Sequence, residues 1–231
     1  WKIRELIKKY SNYIWVPIIK PSPLAPLPEV EGNSEELKDE QVNDQIAIWN
    51  KQKSEITQEE YNGFYSSLSY DFTAPLWVIH NNTEWMVSYK SLLFVPQNKN
   101  QFTNFSDPKT EYWPKLFVQN VMILENAKEL LPIWLRFVVW VVQTSDLPLN
   151  ISREMLQSNT TLEKIKKSLT KKVIDSIEKQ KENLENYDIF LSNYSNFLKE
   201  WVYYDVENKE KIASLLKFST LLESKNITLD N

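Results

Sequence analysis

The spacing of hydrophobic and polar positions along this 231-residue chain changes at about residue 158. In the first part, short apolar runs predict strands at residues 13–19, 76–81, 86–94, 116–124 and 141–142. Helical spacing predicts helices over residues 2–12 and 127–139. The second of these would bury five apolar side chains: Leu130, Leu131, Trp134, Leu135 and Val138.

A capping box predicts where another helix begins. Thr57 stands three residues before Glu60, so each side chain can bind the other's backbone N–H, and the helix should run to about Ser69. Between the periodic segments, residues 20–40 are rich in proline and then acidic, and residues 96–112 are polar. Both stretches are predicted to be exposed loops.

Beyond residue 158 the pattern is helical throughout. One apolar stripe repeats at spacings of three and four residues: Leu162, Ile165, Leu169, Val173 and Ile177. Apolar residues at 190–198 and at 212–222 predict two more helices. The chain therefore divides into an α/β unit over residues 1–158 and a small helical unit over residues 159–231.

Composition excludes several classes of protein. With no cysteine there is no disulfide framework and no thiolate metal site, and a single histidine, His80, cannot build a histidine-rich metal centre. His80 lies in a predicted strand, where a structural role is the expected one. The net charge of −4 argues against a general nucleic-acid binder. Gly32 and Gly63 are the only glycines, which excludes a P-loop or a Rossmann fingerprint.

Neither a membrane span nor a signal peptide is visible in the sequence. The chain opens directly on a predicted helix, as expected of a segment from inside a longer protein.

One stretch, residues 145–157, carries the strongest sign of chemistry. Pro148 biases the preceding residue towards extended structure, and Ser152 is a good N-cap for a short helix that would begin at Arg153. A cation in the first helical turn is unfavourable beside the positive end of the helix dipole, so an arginine there needs an anion to meet. Read without other information, Arg153 could also be a simple surface-loop arginine.

The sequence of this stretch, D-L-P-L-N-I-S-R-E-M-L-Q, closely resembles the catalytic loop in the middle domain of the heat-shock protein 90 (Hsp90) family of chaperones, bacterial type. Other segments resemble that family in the same order and cover nearly the whole chain. They are the opening helix at residues 2–11, Ala47-Ile48-Trp49, the I-T-x-E-E-Y helix at residues 55–65, L-P-I-W-L-R-F-V at residues 131–138 and residues 209–220.

The resemblance implies an α/β fold: a layered αβα sandwich with a mixed sheet, followed by a small helical connector. It implies a cytoplasmic stress-response chaperone, homodimeric at full length, that binds unfolded or partly folded client proteins and hydrolyses ATP. ATP and Mg²⁺ would be bound mainly by an N-terminal nucleotide domain, and a C-terminal domain would dimerise. This segment alone would be inactive, and neither nucleic acid nor a membrane is an expected partner.

Within the loop, the resemblance implies that Arg153 reaches the γ-phosphate of ATP held by the nucleotide domain. Arginine suits this task because its planar fork of donors is always charged. Asn150 and Gln157 match polar positions of the same loop and are expected to order it or to touch the lid of the nucleotide domain. The alternative for these two residues is simple loop capping.

Three aromatic residues have implied roles outside the loop. Trp49 matches a tryptophan implicated in client contact, and the alternative is burial against its own subdomain. Phe102 and Phe105 occupy a loop whose apolar patch docks on the nucleotide domain in the family, although the sequence at residues 97–102 departs from the family pattern.

A competing interpretation of the whole chain is a non-catalytic client- or partner-binding module of the same fold. An upstream nucleotide domain would favour the ATPase.

The chain has 9 Trp and 2 Gly, where average usage of ~7% predicts roughly 16 glycines. Several tryptophans fall at turns or helix ends, where glycine is the usual residue because a left-handed backbone is often required. Trp49 and Trp134 match tryptophans of the family, and Trp77 is undecided. We hypothesise that others are glycines whose UGA codon was translated with a tryptophan table: Trp1, Trp15, Trp85, Trp113, Trp140 and Trp201. The alternative is an unusual Trp-rich protein.

Overall fold

The computed structural model describes residues 2–20, 40–84, 86–99, 115–149, 159–219 and 226–228. In chain order its helices and strands are α1 (Lys2–Tyr10), β1 (Ile19–Lys20), β2 (Glu40–Gln41), α2 (Gln58–Ser69), β3 (Trp77–Thr83), β4 (Tyr89–Val95), β5 (Lys115–Val118), β6 (Val121–Leu124), β7 (Val139–Thr144), α3 (Thr160–Lys179), α4 (Leu184–Tyr204), α5 (Lys209–Ser214), β8 (Lys217–Ser219) and β9 (Asn226–Thr228). Short 3₁₀ turns lie at Ile48–Asn50, Lys53–Glu55, Lys128–Leu130, Ile133–Leu135 and Gln180–Glu182.

A five-stranded sheet with the order β3-β4-β7-β5-β6 occupies the centre of the fold. β7 is the middle strand, antiparallel to β4 and parallel to β5. The pairs β3–β4 and β5–β6 are antiparallel hairpins on either side. This confirms the expected α/β class with a mixed sheet, and it confirms the two strands predicted at 76–81 and 86–94.

The strand predicted over residues 116–124 is instead the β5–β6 hairpin. Gln119 and Asn120 turn the chain with positive φ angles of 48° and 68°. Paired left-handed residues are the geometry of a tight two-residue hairpin, and asparagine tolerates it better than most residues. The polar pair Gln119-Asn120 interrupts the apolar run at this turn, and the prediction of one continuous strand overlooked it.

The helix predicted over residues 127–139 is wrong in type, although its five apolar residues are all buried as expected. Pro132 separates two 3₁₀ turns, and Leu131 before it is extended with ψ 149°. A proline disfavours the helical conformation of the residue before it, so a continuous helix cannot form here. The chain then enters β7 at Val139.

The N-terminal helix was predicted correctly, but its neighbour was not. Only Ile19 of the strand predicted at residues 13–19 lies in a strand. Asn43 takes the place of a neighbouring strand, since its Nδ2 donates to the carbonyls of Ile14 and Val16 at 3.2 and 3.0 Å and its Oδ1 accepts from the Ile18 N–H at 2.8 Å. Side-chain bonds of this kind compete with a regular ladder.

Helix α1 leaves its apolar face uncovered in the described part of the chain. Ile3 is 74% exposed and Leu6 is 53% exposed. The charged face instead attaches the helix through three ion pairs: Arg4–Glu40 at 2.6 Å, Lys8–Asp44 at 2.7 Å and Lys9–Glu125 at 2.6 Å.

Helix α2 begins as the sequence predicts. Thr57 Oγ1 accepts from the Glu60 N–H at 3.2 Å, and the Glu60 carboxylate accepts from the Thr57 N–H at 2.9 Å. The helix ends at Ser69, and the next residue, Tyr70, has a left-handed backbone. With the turn at Ile48–Asn50, α2 covers one face of the sheet around Trp49, Tyr65 and Phe94.

Helices α3, α4 and α5 share one apolar core with the other face of the sheet. All five residues of the predicted α3 stripe are at most 4% exposed, which confirms the predicted helix. These helices therefore form the second outer layer of the αβα sandwich. Within the described residues, the predicted division at residue 158 does not separate two cores.

Candidate functional site

The predicted loop at residues 145–157 leaves the sheet where its middle strand, β7, ends. Asn150, Arg153 and Gln157 lie outside the described residues, so their predicted roles stay predictions. What the structure does describe is how the loop is held at its two ends.

At its first end, hydrogen bonds fasten the loop to the residue that precedes β4. The Ser88 N–H donates to Asp146 Oδ2 at 2.7 Å, and Thr144 Oγ1 donates to the Ser88 carbonyl at 2.8 Å. The Asp146 N–H donates to Thr144 Oγ1 at 3.1 Å. We call Ser88, Thr144 and Asp146 the loop clamp. Sequence reasoning missed it, although threonine and aspartate near the end of a strand are typical of residues that bind nearby backbone.

Two leucines show where the chain goes next. Leu147 is 3% exposed and belongs to the core shared with the helices. Leu149 is already 47% exposed. The chain thus moves from the core to the surface within three residues, immediately before the part of the loop that carries Arg153.

At its second end, the loop meets the start of α3. Asn159 caps the helix, because its Oδ1 accepts from the N–H groups of Thr161 and Leu162 at 2.9 and 3.3 Å. Tyr89, the first residue of β4, reaches the same helix through its hydroxyl, which lies 2.6 Å from Ser168 Oγ. Both ends of the loop are therefore tied to regular elements.

Trp49 is not the exposed aromatic residue that a client contact would need. Its side chain is 1% exposed, and its ring packs against Tyr13 and Phe117 with centroids 4.8 Å away in each case. Its Nε1 donates to Gln143 Oε1 at 2.8 Å. Of the two alternatives for Trp49, the structure has burial against its own subdomain, because the turn at Ile48–Asn50 directs the indole into the core under α2, and a client contact by Trp49 stays a prediction.

His80 has the structural role expected of it. Its Nδ1 lies 2.8 Å from the Tyr61 hydroxyl and its Nε2 lies 3.3 Å from the Trp49 carbonyl. Burial lowers the pKa of His80 below its usual value, and the positive charges of Lys53 and Lys90 lower it further.

Phe102 and Phe105 also lie outside the described residues, but the chain just before them is anchored. Tyr194 donates its hydroxyl proton to the carbonyls of Pro96 and Asn98 at 3.2 and 3.1 Å. Asn193 Nδ2 donates to the Gln97 carbonyl at 2.7 Å. Helix α4 therefore fixes where the predicted docking loop starts.

The described residues contain neither a metal site nor a membrane-spanning helix. No group of three or more histidine, aspartate or glutamate side chains there is arranged to hold a metal ion. No helix among them is long and apolar enough to cross a membrane.

The tryptophans do not follow the predicted backbone pattern. Among the described residues other than glycine, positive φ angles occur at Gln45, Tyr70, Gln119 and Asn120. The expectation of a left-handed backbone at Trp15, Trp140 and Trp201 is therefore wrong. Trp140 lies inside β7 opposite Leu93, and Trp201 lies in the last turn of α4. Trp1, Trp85 and Trp113 lie outside the described residues.

The indole N–H groups separate the tryptophans in another way. Trp49 donates to Gln143, and Trp134 donates from Nε1 to Asp205 Oδ2 at 2.9 Å. The Nε1 atoms of Trp77 and Trp201 are buried and meet no acceptor among the described residues. Among the described residues, the two tryptophans whose Nε1 donates to a side chain of another described residue are the two that match tryptophans of the Hsp90 family.

Comparison with known proteins agrees with this fold. The model of the Hsp90 protein family matches residues 28–231. The chaperone protein HtpG of Borreliella burgdorferi is 42% identical over 223 residues, which cover 95% of this chain and 36% of that protein. HtpG of Alkalilimnicola ehrlichii is 38% identical over 239 residues, which cover 100% of this chain and 36% of that protein. The chain thus spans about a third of the length of the curated relatives it matches.

A solved structure gives the same result for the fold. The middle domain of a heat shock protein from Plasmodium falciparum superposes with a TM-score of 0.70 and is 26% identical, covering 80% of this chain and 72% of that one. From its sequence and its fold together, the chain belongs to the Hsp90 protein family, and it corresponds to the family's middle domain.

Proposed function

We propose that this chain is the middle-domain segment of an ATP-dependent molecular chaperone. In the full-length protein it would supply Arg153 to ATP hydrolysis by an N-terminal nucleotide domain. Family membership and the chaperone names of the relatives support this proposal.

The observation that carries the proposal is the position of the loop. It starts at the end of the middle strand of the five-stranded sheet, with Leu147 in the core and Leu149 at the surface. A side chain that must reach another domain has to project from the surface, and it has to be held by a firm scaffold to meet its target accurately. The start of the loop meets both conditions.

The proposed chemistry is charge neutralisation during phosphoryl transfer. Arg153 would meet the γ-phosphate only when the two domains dock, so it would act on the transition state more than on ATP binding. Asn150 and Gln157 would order the loop or touch the lid of the nucleotide domain. ATP and Mg²⁺ would be held mainly by that domain.

The remaining partners are proposed from the family alone. Unfolded or partly folded clients, a C-terminal domain that makes a homodimer, and a cytoplasmic location belong to the full-length chaperone. Phe102 and Phe105 would dock on the nucleotide domain. Since Trp49 is buried, client contact by this segment would fall to exposed apolar side chains such as Ile3 and Leu6 of α1.

The test is the Arg153→Ala variant of the full-length protein. We expect ATP hydrolysis to fall on the order of 10³-fold, the low end of the range for arginines supplied to phosphoryl transfer. ATP affinity and melting temperature should not change. Arg153→Lys should rescue only in part, because an ammonium lacks the planar fork. Arg4→Ala, which removes an exposed ion-paired arginine of α1, is the matched control.

The opposite result would favour the second interpretation. If Arg153→Ala hydrolyses ATP at the parent rate, Arg153 is a loop residue. The segment would then be better described as a client- or partner-binding module of the same fold.

A further inference from the structure

The loop clamp replaces backbone pairing at a specific point of the sheet. β4 and β7 pair up to Tyr89 and Thr144. The next pair in this register would be Ser88 with Ser145. Instead, both backbone groups of Ser88 are bound by side chains, those of Asp146 and Thr144. The antiparallel ladder therefore ends here, and Ser145 is the first residue after β7.

The clamp forms a closed ring of hydrogen bonds. Asp146 accepts from Ser88, Thr144 donates to Ser88, and Asp146 donates its own N–H to Thr144. A ring of three bonds fixes the direction of the chain at residues 144–146 more firmly than any one bond. Two residues later the chain is at the surface, so a small change of direction at the clamp becomes a larger displacement further along the loop.

Because Asp146 is exposed, its effect on the position of the loop can be measured without unfolding the chain. Thr144 is buried at 1% exposed, whereas Asp146 is an exposed residue. One hydrogen bond of an exposed side chain is a small part of the stability of a chain of this size. Loss of the Asp146 side chain should therefore leave the fold intact while releasing the start of the loop.

We propose that Asp146 and Thr144 are positioning residues for ATP hydrolysis: their hydrogen bonds to Ser88 set the direction in which the loop carrying Arg153 leaves β7. This inference rests on the proposed function. It adds two residues that do not touch ATP and that act through Arg153. Misplacement of a catalytic group by about 1 Å can reduce a rate by ~10²-fold, so the expected effect is large.

The experiment compares Asp146→Ala with Asp146→Asn in the full-length protein. Asparagine keeps an acceptor for the Ser88 N–H, and alanine does not. We expect Asp146→Ala to lower kcat by about 10- to 100-fold with unchanged KM for ATP and unchanged melting temperature. Asp146→Asn should stay within a few-fold of the parent. Asp175→Ala, at an exposed aspartate of α3, is the matched control.

Two outcomes would overturn the proposal. One is a parent-like kcat for Asp146→Ala. The other is an equal loss in both variants, since that would point to the charge of Asp146 and not to its hydrogen bond. If Asp146→Ala does not fold, Thr144→Val against Thr144→Ser makes the same comparison, because only serine keeps the hydroxyl.

A double mutant distinguishes this proposal from the proposed function. If Asp146 acts only through Arg153, Asp146→Ala should have no further effect on kcat in the Arg153→Ala background. An additional loss there would show that Asp146 acts independently, and the positioning role would fall. A parent-like rate for Arg153→Ala alone would instead overturn the proposed function.

Discussion

Two tryptophan pockets on opposite faces of the central sheet differ in whether the indole N–H meets a hydrogen-bond acceptor. Under α2, Trp49 is almost fully buried and its Nε1 is paired with Gln143. On the helical face, the Nε1 of Trp201 is buried but meets no acceptor among the described residues. Trp134 on that same face is paired with Asp205, so the difference does not come from the face itself.

The presence or absence of an acceptor indicates which indole N–H groups the surrounding residues accommodate. A buried donor without a partner costs about 1–3 kcal/mol, so a pocket shaped around tryptophan normally offers an acceptor. Trp49 and Trp134 have one, whereas Trp77 and Trp201 lack one among the described residues. This agrees with the hypothesis that Trp201 occupies a glycine position, and Trp77 stays undecided.

The largest expected effect is on the mass of the full-length protein purified from its native host. If the six suspect codons are read as glycine there, tryptic peptides over residues 140 and 201 should each be lighter by the whole tryptophan side chain. Peptides over Trp49 and Trp134 should contain tryptophan and serve as internal controls. Tryptophan at residues 140 and 201 would sink the hypothesis.

The next largest difference is expected in the free energy of unfolding when each tryptophan is truncated to alanine. Trp49→Ala should destabilise this chain by about 3–5 kcal/mol, as expected for a fully buried tryptophan. Trp201→Ala should cost less, about 1–2 kcal/mol, because that side chain is only half-buried and loses no hydrogen bond. Urea unfolding of both variants measures the difference. Equal losses would mean that the pockets are equivalent.

Substitution by phenylalanine keeps an aromatic ring and tests the contribution of the indole N–H group. Trp49→Phe leaves Gln143 without its donor and should cost about 1 kcal/mol or somewhat more. Trp201→Phe removes a buried donor that has no partner, so stability should be unchanged or should rise. The same denaturation measurement decides it, and a clear loss for Trp201→Phe would show that its indole is paired after all.

The smallest effect concerns the pH dependence of the Trp49 pocket, where His80 meets the Trp49 carbonyl. Burial holds the pKa of His80 in the folded chain below the usual 6.5. As the pH falls below about 6.5, the unfolded chain therefore takes up a proton that the folded chain resists, and stability decreases. The melting temperature should be highest above that pH and should fall on acidification.

His80→Gln is the control for this pH effect. Glutamine can still bond to Tyr61 or Trp49 but does not titrate, so the drop in melting temperature between pH 7 and pH 5.5 should be smaller. The same drop in parent and variant would assign the pH dependence to other groups.

The sequence by itself determined the features that depend on neighbouring residues. The capping box of α2 and the apolar stripe of α3 were predicted correctly because their partners lie three or four residues away. The αβα architecture came from the resemblance to the Hsp90 family, and so did the roles proposed for Arg153, Asn150 and Gln157, which stay predictions.

Only the tertiary structure decided what depends on residues far apart in the chain. The loop clamp joins residues 88 and 146, and the burial of Trp49 depends on Gln143 and Phe117. The strand predicted at residues 13–19 gave way to bonds from Asn43, and the helices after residue 158 joined the core of the sheet. Periodicity reports which side chains are apolar, but it does not report which distant polar group will bind a given backbone or which distant apolar surface a side chain will meet. The first settled the loop clamp and residues 13–19, and the second settled Trp49 and the helices.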